Sequence, residues 1–206
     1  MGYQSVSFKA SRERLEDLIR QRLIPGVQKD QVDQRIWDLF GETWAVMFTD
    51  LSGFSRGVAK FGIIHFLQTI YEAQRILIPV IEGKGGIMLK VEGDSYLVIF
   101  RKTDAALDCA LEMQKILTEY NKVKTEEEKV LLCVGLGYGP MLRIGDEDVF
   151  GAEVNAASKL GEDTAKAQEI LITEDFKNAL KDDHAVGFSA IKEVPPGSLG
   201  AWKVEY

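Results

Sequence analysis

Two stretches carry carboxylates where the local chain can present them to a ligand. The first is Phe48-Thr49-Asp50-Leu51-Ser52-Gly53-Phe54-Ser55. An apolar run, Trp44-Ala45-Val46-Met47-Phe48, opens it and reads as a buried strand. The strand ends on Asp50 and breaks at Gly53, which sets a carboxylate beside a loop with free backbone N–H groups. That arrangement suits a divalent cation and a phosphate; taken alone, Asp50 could equally cap a following helix. The second stretch runs from Gly85 to Phe100 and reads as strand, tight turn, strand. Glu92-Gly93-Asp94 is the hairpin signal and lifts Asp94 to a loop tip. If this hairpin lies beside the first strand, Asp50 and Asp94 converge. Two carboxylates on adjacent strand ends are what a pair of Mg²⁺ ions needs, with the ions about 3.5–4 Å apart.

A third stretch, Asp148-Val149-Phe150-Gly151-Ala152-Glu153-Val154-Asn155-Ala156-Ala157-Ser158-Lys159, follows downstream. In this order and with these gaps the chain resembles the class III nucleotidyl cyclases, the adenylyl and guanylyl cyclases, from about Trp44 to its C-terminus. Phe48–Ser55 looks like their first metal-binding motif. Lys90-Val91-Glu92-Gly93-Asp94 looks like their purine-lysine and second-metal motif. The third stretch matches their base-reading and transition-state motif.

The resemblance implies roles residue by residue. Asp50 and Asp94 would hold two Mg²⁺ or Mn²⁺ ions per site, with the Leu51 carbonyl as a further ligand. Backbone N–H groups of Gly53, Phe54 and Ser55 would cradle the β- and γ-phosphates, and Lys192 is a weaker match for a phosphate-binding lysine. Asn155 and Lys159 would touch the transition state. Relatives carry Arg at the position of Lys159, and lysine lacks the planar fork of arginine. Lys90 and Asp148 resemble the base-reading pair. A lysine donates to a ring nitrogen and an ionised aspartate accepts from an exocyclic amine, which is the edge adenine presents. Guanine readers of the family usually have Glu at the position of Lys90. The expected substrate is therefore ATP and the expected product 3′,5′-cyclic AMP, although cytosine offers the same acceptor–donor pair and only pocket depth would exclude CTP. Taken singly, Lys90 could be a solvated strand lysine and Asp148 a loop charge in Asp146-Glu147-Asp148. A cyclase-like nucleotide-binding module without turnover is the reading that Lys159 keeps open. The family places the metal carboxylates of one subunit against the base-reading residues of another, so a homodimer with composite sites is expected. The segment between Gly139 and Gly151 is shorter than the arm that many relatives use to hold the partner.

These residues need a scaffold, and the chain supplies one. At 206 residues, with 46% hydrophobic and 28% charged, it suits one globular domain with an N-terminal addition. The division expected is 1–41 as a helical extension and 42–206 as the cyclase homology domain. Ser11 precedes a helical pattern with Leu15, Leu18, Ile19 and Leu23 on one face, stopped by Pro25-Gly26. Asp30 would cap a second helix carrying Val32, Ile36, Trp37 and Phe40. Both could pack on the domain, or could serve dimerisation or signal transmission. With so little upstream, a covalent sensor domain in this chain is not expected. Ser55–Ile81 reads as helix, kinked or ending about Pro79, with His65 a core or surface histidine rather than a ligand. A helix starts at Thr103, Asn121–Lys129 is a solvated connector, and Val130–Pro140 is a strand leading into a turn. Its glycines fit close backbone packing as well as a phosphate loop. Ala152–Gly161 reads as helix, with Asn155 and Lys159 on one face. Ile170–Thr173 is a strand, Thr173 caps the next helix, and two strands finish the chain. The expected class is α+β: a mainly antiparallel sheet flanked by helices, with N-terminal helices, in the ferredoxin-like palm of the resembling family.

A net charge of −7 without a basic stripe argues against a nucleic-acid partner. Cys109 and Cys133, without metal-ligand spacing, suit a reduced, cytoplasmic protein. No signal peptide is visible, and no apolar run approaches the ~18 residues of a membrane span.

Overall fold

The computed structural model describes residues 10–53, 61–181 and 184–206. Two helices, α1 (Ala10–Arg22) and α2 (Lys29–Phe40), lead into strand β1 (Gly41–Leu51). Then come α3 (Ile63–Gly83), β2 (Ile87–Glu92), β3 (Ser95–Phe100), α4 (Thr103–Asn121), β4 (Leu132–Ile144) and β5 (Asp148–Phe150). Helix α5 (Ala152–Ser158) continues into a π-helical turn (Lys159–Thr164), followed by β6 (Ile170–Thr173), α6 (Glu174–Asn178), β7 (Gly187–Ala190) and β8 (Ala201–Glu205).

The strands form one eight-stranded sheet in the order β2-β3-β1-β4-β6-β8-β7, with β5 paired to β4 outside that path. Every pairing is antiparallel except β4 with β6. The expected α+β architecture with a mainly antiparallel sheet is therefore what the chain adopts. β1 is central, and both its faces are covered, which explains why its sequence is a continuous apolar run rather than an alternation. Ala45 and Met47 join the core beneath α3 and α4, with Leu77, Ala110 and Met113. Trp44 and Val46 join a second core with Val154 and Ala157 of α5.

The N-terminal helices pack on the domain, through Leu18, Val32, Ile36 and Phe40 against Ile144 of β4. Their faces are less buried than periodicity predicts: Ile19, Leu23 and Trp37 remain exposed. Asp30 is not the cap of α2. Gln28 holds that position without a side-chain bond to the helix backbone, and Asp30 lies in the first turn, where its charge complements the helix dipole.

Four further expectations need correction. The predicted helix starts at Ile63, after Gly62 at a φ of 88°, with 54–60 outside the described residues, and it does not end at Pro79 but runs through it to Gly83. Pro79 faces solvent, where water can take the carbonyl its missing N–H frees. β4 does not turn at Gly139-Pro140 but continues to Ile144. Pro140 falls between the stretches of β4 paired to β6 and to β5, an unpartnered edge where a missing N–H is tolerated. Asn121 is not solvated: its buried amide donates to the Val130 carbonyl at 2.8 Å and accepts from the Val130 N–H at 2.9 Å. Finally, α5 widens into the π-helical turn before Gly161. His65 is half-buried; its Nε2 lies 2.7 Å from the Glu127 carbonyl and so donates to it.

Cys109 and Cys133 are free and buried, and burial pushes each thiol up to about 12, which leaves them unreactive. Among the described residues no helix is long and apolar enough to cross a membrane.

One buried histidine gives the fold a pH dependence. His184 lies 3.0 Å from Asp104 through Nε2 and 3.0 Å from Asp108 through Nδ1. Burial pulls its pKa down, but the bonds to the two carboxylates outweigh burial and leave it raised above the ordinary 6.5. A raised folded value means the stabilisation is complete below 6.5 and is lost as pH rises through the folded value. Thermal melts of wild type and His184→Ala across pH 5.5–8.5 should therefore differ most at the acid end and converge at the alkaline end. A constant gap would contradict this.

Candidate active site

The β2–β3 hairpin closes through Gly93, whose φ of 62° suits a two-residue turn. β3 pairs with β1, so the hairpin tip comes to the end of β1 and brings Asp94 to Asp50. Burial, and after it the charge of Asp94, push Asp50 up to about 6. The Leu51 N–H and the Ser95 hydroxyl, 3.3 Å from Asp50 Oδ1, act in the opposite sense. Among the described residues no Lys or Arg is paired with either carboxylate. Two carboxylates held together against their own repulsion concentrate negative charge that a cation would offset.

No cluster of three His, Cys, Asp or Glu side chains occurs among the described residues. The Asp50–Asp94 pair offers oxygen donors only, the ligand type Mg²⁺ and Mn²⁺ take, where substrate phosphates can complete the shell. Leu51 is the last residue of β1, paired with Leu132. Gly53 follows in the turn with a φ of 91°. Phe54 and Ser55, the other predicted phosphate contacts, lie outside the described residues.

The predicted base-reading pair is assembled. Lys90 Nζ of β2 lies 2.7 Å from Asp148 Oδ2 of β5, and the Val149 N–H donates to Asp148 Oδ1 at 2.9 Å. Both side chains line a cavity of about 220 Å³ with Phe48, Leu97, Val154 and Asn155. Asn155 projects from α5, which lies on β4 over Gly135 and Gly137. Buried Glu153 ties the same helix to the sheet, accepting from the Tyr138 N–H at 3.0 Å and from Thr173 Oγ1 at 2.6 Å. A wider depression, about 620 Å³, follows α2, but its lining runs only from Val27 to Asp38 and is one helix surface.

Neither Lys159 nor Lys192 is brought to this cavity. Lys159 is exposed and paired with Asp163 on the π-helical turn. Lys192 lines a separate depression with Lys166, Glu169 and Lys203. Conversely, Ser95 and Glu162 line the cavity, and sequence reasoning did not single them out. Strand alternation could have found Ser95, which shares a face with Leu97. Asp50 and Asp94 are not part of the lining.

The adenylate and guanylate cyclase catalytic-domain model matches residues 41–196, well over half of the chain. The chain belongs to that family. An adenylate cyclase of Mycobacterium tuberculosis is 28% identical over 194 residues, covering 85% of this chain and 42% of the relative. The chain thus spans under half the length of the curated relatives it matches first. Among solved structures, an adenylate/guanylate cyclase/hydrolase from Silicibacter pomeroyi superimposes with a TM-score of 0.70 at 21% identity, covering 81% of this chain and 98% of that one. The guanylate cyclase domain of RhGC from Catenaria anguillulae, in complex with GTP, gives 0.66 at 20% identity, covering 79% and 96%. At these identities the superpositions show the shared fold. The cyclase-family segment begins at β1 and so leaves α1 and α2 outside it.

Proposed function

We propose that this chain is the catalytic unit of an adenylyl cyclase, converting ATP to 3′,5′-cyclic AMP and pyrophosphate. The observation that carries the reading is the Lys90–Asp148 pair at the wall of a cavity with Asn155. It offers a donor and an acceptor side by side, complementary to N1 and the exocyclic amine of adenine. The ribose 3′-oxygen attacks the α-phosphorus, the bond to the bridging oxygen breaks, and pyrophosphate leaves. Asp50 and Asp94 would hold Mg²⁺ or Mn²⁺. When bound, such ions neutralise triphosphate charge and lower the pKa of the 3′-hydroxyl. No protein nucleophile is required; the protein positions and stabilises charge.

The proposed assembly is a homodimer with composite sites. At about 220 Å³ the cavity is smaller than the ~300–1,000 Å³ of a complete ligand pocket, and the acidic pair is not among its lining residues. A base-binding half from one subunit and a metal-binding half from another would complete each other.

The test is incubation of purified protein with Mn²⁺ and ATP, GTP, CTP or UTP, with products identified by mass spectrometry. Cyclic AMP as the main product supports the reading, and cyclic CMP would move selectivity from the polar edge to pocket size. No cyclic product from a folded dimer would favour a nucleotide-binding module. The Lys159–Asp163 pair is the observation that favours this second reading. Lys159→Arg should raise kcat about tenfold by offering a planar fork to the triphosphate. An unchanged or lower kcat would show that the native lysine is not what limits turnover.

A further inference from the structure

The base-reading Asp148 ends a run of three carboxylates, Asp146-Glu147-Asp148, between β4 and the body of β5. Each has a cation from a different element. Arg143 of β4 donates to Asp146 at 2.6 Å, Lys90 of β2 to Asp148 at 2.7 Å, and Arg12 of α1 through Nε to Glu147 Oε2 at 3.0 Å. Arg12 also reaches the base-reading carboxylate, with Nη2 3.8 Å from Asp148 Oδ2. α1 touches the hairpin tip again at Gly145, where a Cβ would lie 3.7 Å from Ser11 Oγ. Behind these contacts, Leu18 packs with Ile144.

We infer that Arg12, from outside the cyclase-family segment, is a positioning residue for the base-reading Asp148. The inference rests on the proposed nucleotide-binding role of Lys90 and Asp148. The physical reason is competition for charge. Without Arg12, Glu147 is an unpaired carboxylate next to Asp148. It repels Asp148 and competes for the Lys90 ammonium, a compact cation on a flexible stem that can follow either acceptor. With Arg12 in place, Glu147 is held at its guanidinium, and Lys90 and Asp148 stay paired at the cavity wall. Arg12 is about half exposed, at 47% of its side chain, so its bond adds little to stability. Its effect falls on base binding. It makes α1 a functional part of the nucleotide site: a displacement of α1 would reach the base pocket through one guanidinium.

The experiment compares wild type, Arg12→Ala, Arg12→Lys, Arg12→Ala with Glu147→Gln, and Asp148→Ala. The readouts are equilibrium binding of ATP with Mn²⁺, KM and kcat for ATP, and the melting temperature. Arg12→Ala should weaken ATP binding and raise KM about 3- to 10-fold, with kcat within about twofold and an almost unchanged melt. Arg12→Lys should fall between, keeping the charge near Asp148 but losing the Nε bond. Adding Glu147→Gln removes the competing charge and should return KM to within about twofold of wild type, a rescue that lost helix packing would not show. The inference is overturned if Arg12→Ala leaves ATP affinity unchanged, or if Glu147→Gln fails to restore it, while Asp148→Ala weakens binding. Asp148→Ala without effect, or wild type that binds no nucleotide, would remove the underlying base-reading role and the inference with it.

Discussion

Asp50→Asn and Asp50→Ala are expected to lower kcat for cyclic nucleotide formation by about 10³-fold or more while the protein melts at the same or a higher temperature. The two outcomes have one cause. Asp50 is half-buried beside Asp94, and burial followed by that charge push it up to about 6 from its ordinary 3.8. A carboxyl raised in this way favours the folded state in its protonated form. Its contribution is present below 3.8 and is lost as pH rises through about 6, so at neutral pH the ionised pair opposes folding. Removing one charge should relieve on the order of 1 kcal/mol in metal-free buffer, after allowance for partial exposure. Asp94→Ala should match the loss of turnover. Mass-spectrometric assay and thermal melts in EDTA decide the matter. Turnover within tenfold of wild type would remove Asp50 from the catalytic machinery, and a large fall in melting temperature would make it a structural residue. The substitution separates an enzyme from a binding module, because a pair kept against its own repulsion has no structural benefit to explain it.

What the sequence made legible depended on how local the cause was. Gly93 between two strands specifies a tight turn, and a turn there delivers Asp94 to Asp50 once β3 pairs with β1. The Lys90–Asp148 pair spans 58 residues. It was legible only because the three motifs occur together in family order; each residue alone reads as a surface charge. Contextual causes were missed. Pro79 and Pro140 signal breaks in any local reading, yet an exposed helix face and an unpartnered strand edge make both harmless. Asn121 looked like the start of a polar connector, but its amide satisfies both backbone groups of Val130 in a buried corner. Arg12 carries no local signal at all, since its partners lie 135 residues away. Lys159 and Lys192 were placed by motif position. In the single chain, Lys159 follows the nearest carboxylate, four residues along the helix, and Lys192 lines another depression.

Gly135→Ala is expected to be among the most damaging single-methyl changes in the chain. A Cβ there would lie 2.1 Å from the Ala157 carbonyl oxygen, 2.4 Å from the Gly161 nitrogen and 2.9 Å from the Gly161 Cα. All three are backbone atoms, so no side chain can rotate away. Gly161 in turn presses on β1, where a Cβ would meet the Phe48 carbonyl oxygen at 2.7 Å. The helix that carries Asn155 thus lies on the sheet at a separation only hydrogen atoms allow. Adding a methyl must lift the helix, open the second core around Val154 and Ala157, and displace Asn155 from the cavity it shares with Lys90 and Asp148. Overpacking against yielding side chains costs about 1–3 kcal/mol, and against backbone from both elements the cost should reach the top of that range or exceed it. For a domain of this size that corresponds to a fall in melting temperature of roughly 6–12 °C. Gly83→Ala is the control. Nothing lies within 4 Å of its Cβ position at the end of α3, and it should be neutral or stabilise by up to about 1 kcal/mol. Gly135→Ala should also lose nucleotide affinity at temperatures where it remains folded, because the displaced helix carries a wall of the cavity proposed to bind the base. A variant that melts like wild type would mean that α5 can rise from β4 at little cost. The glycines of β4 would then need a reason other than close packing.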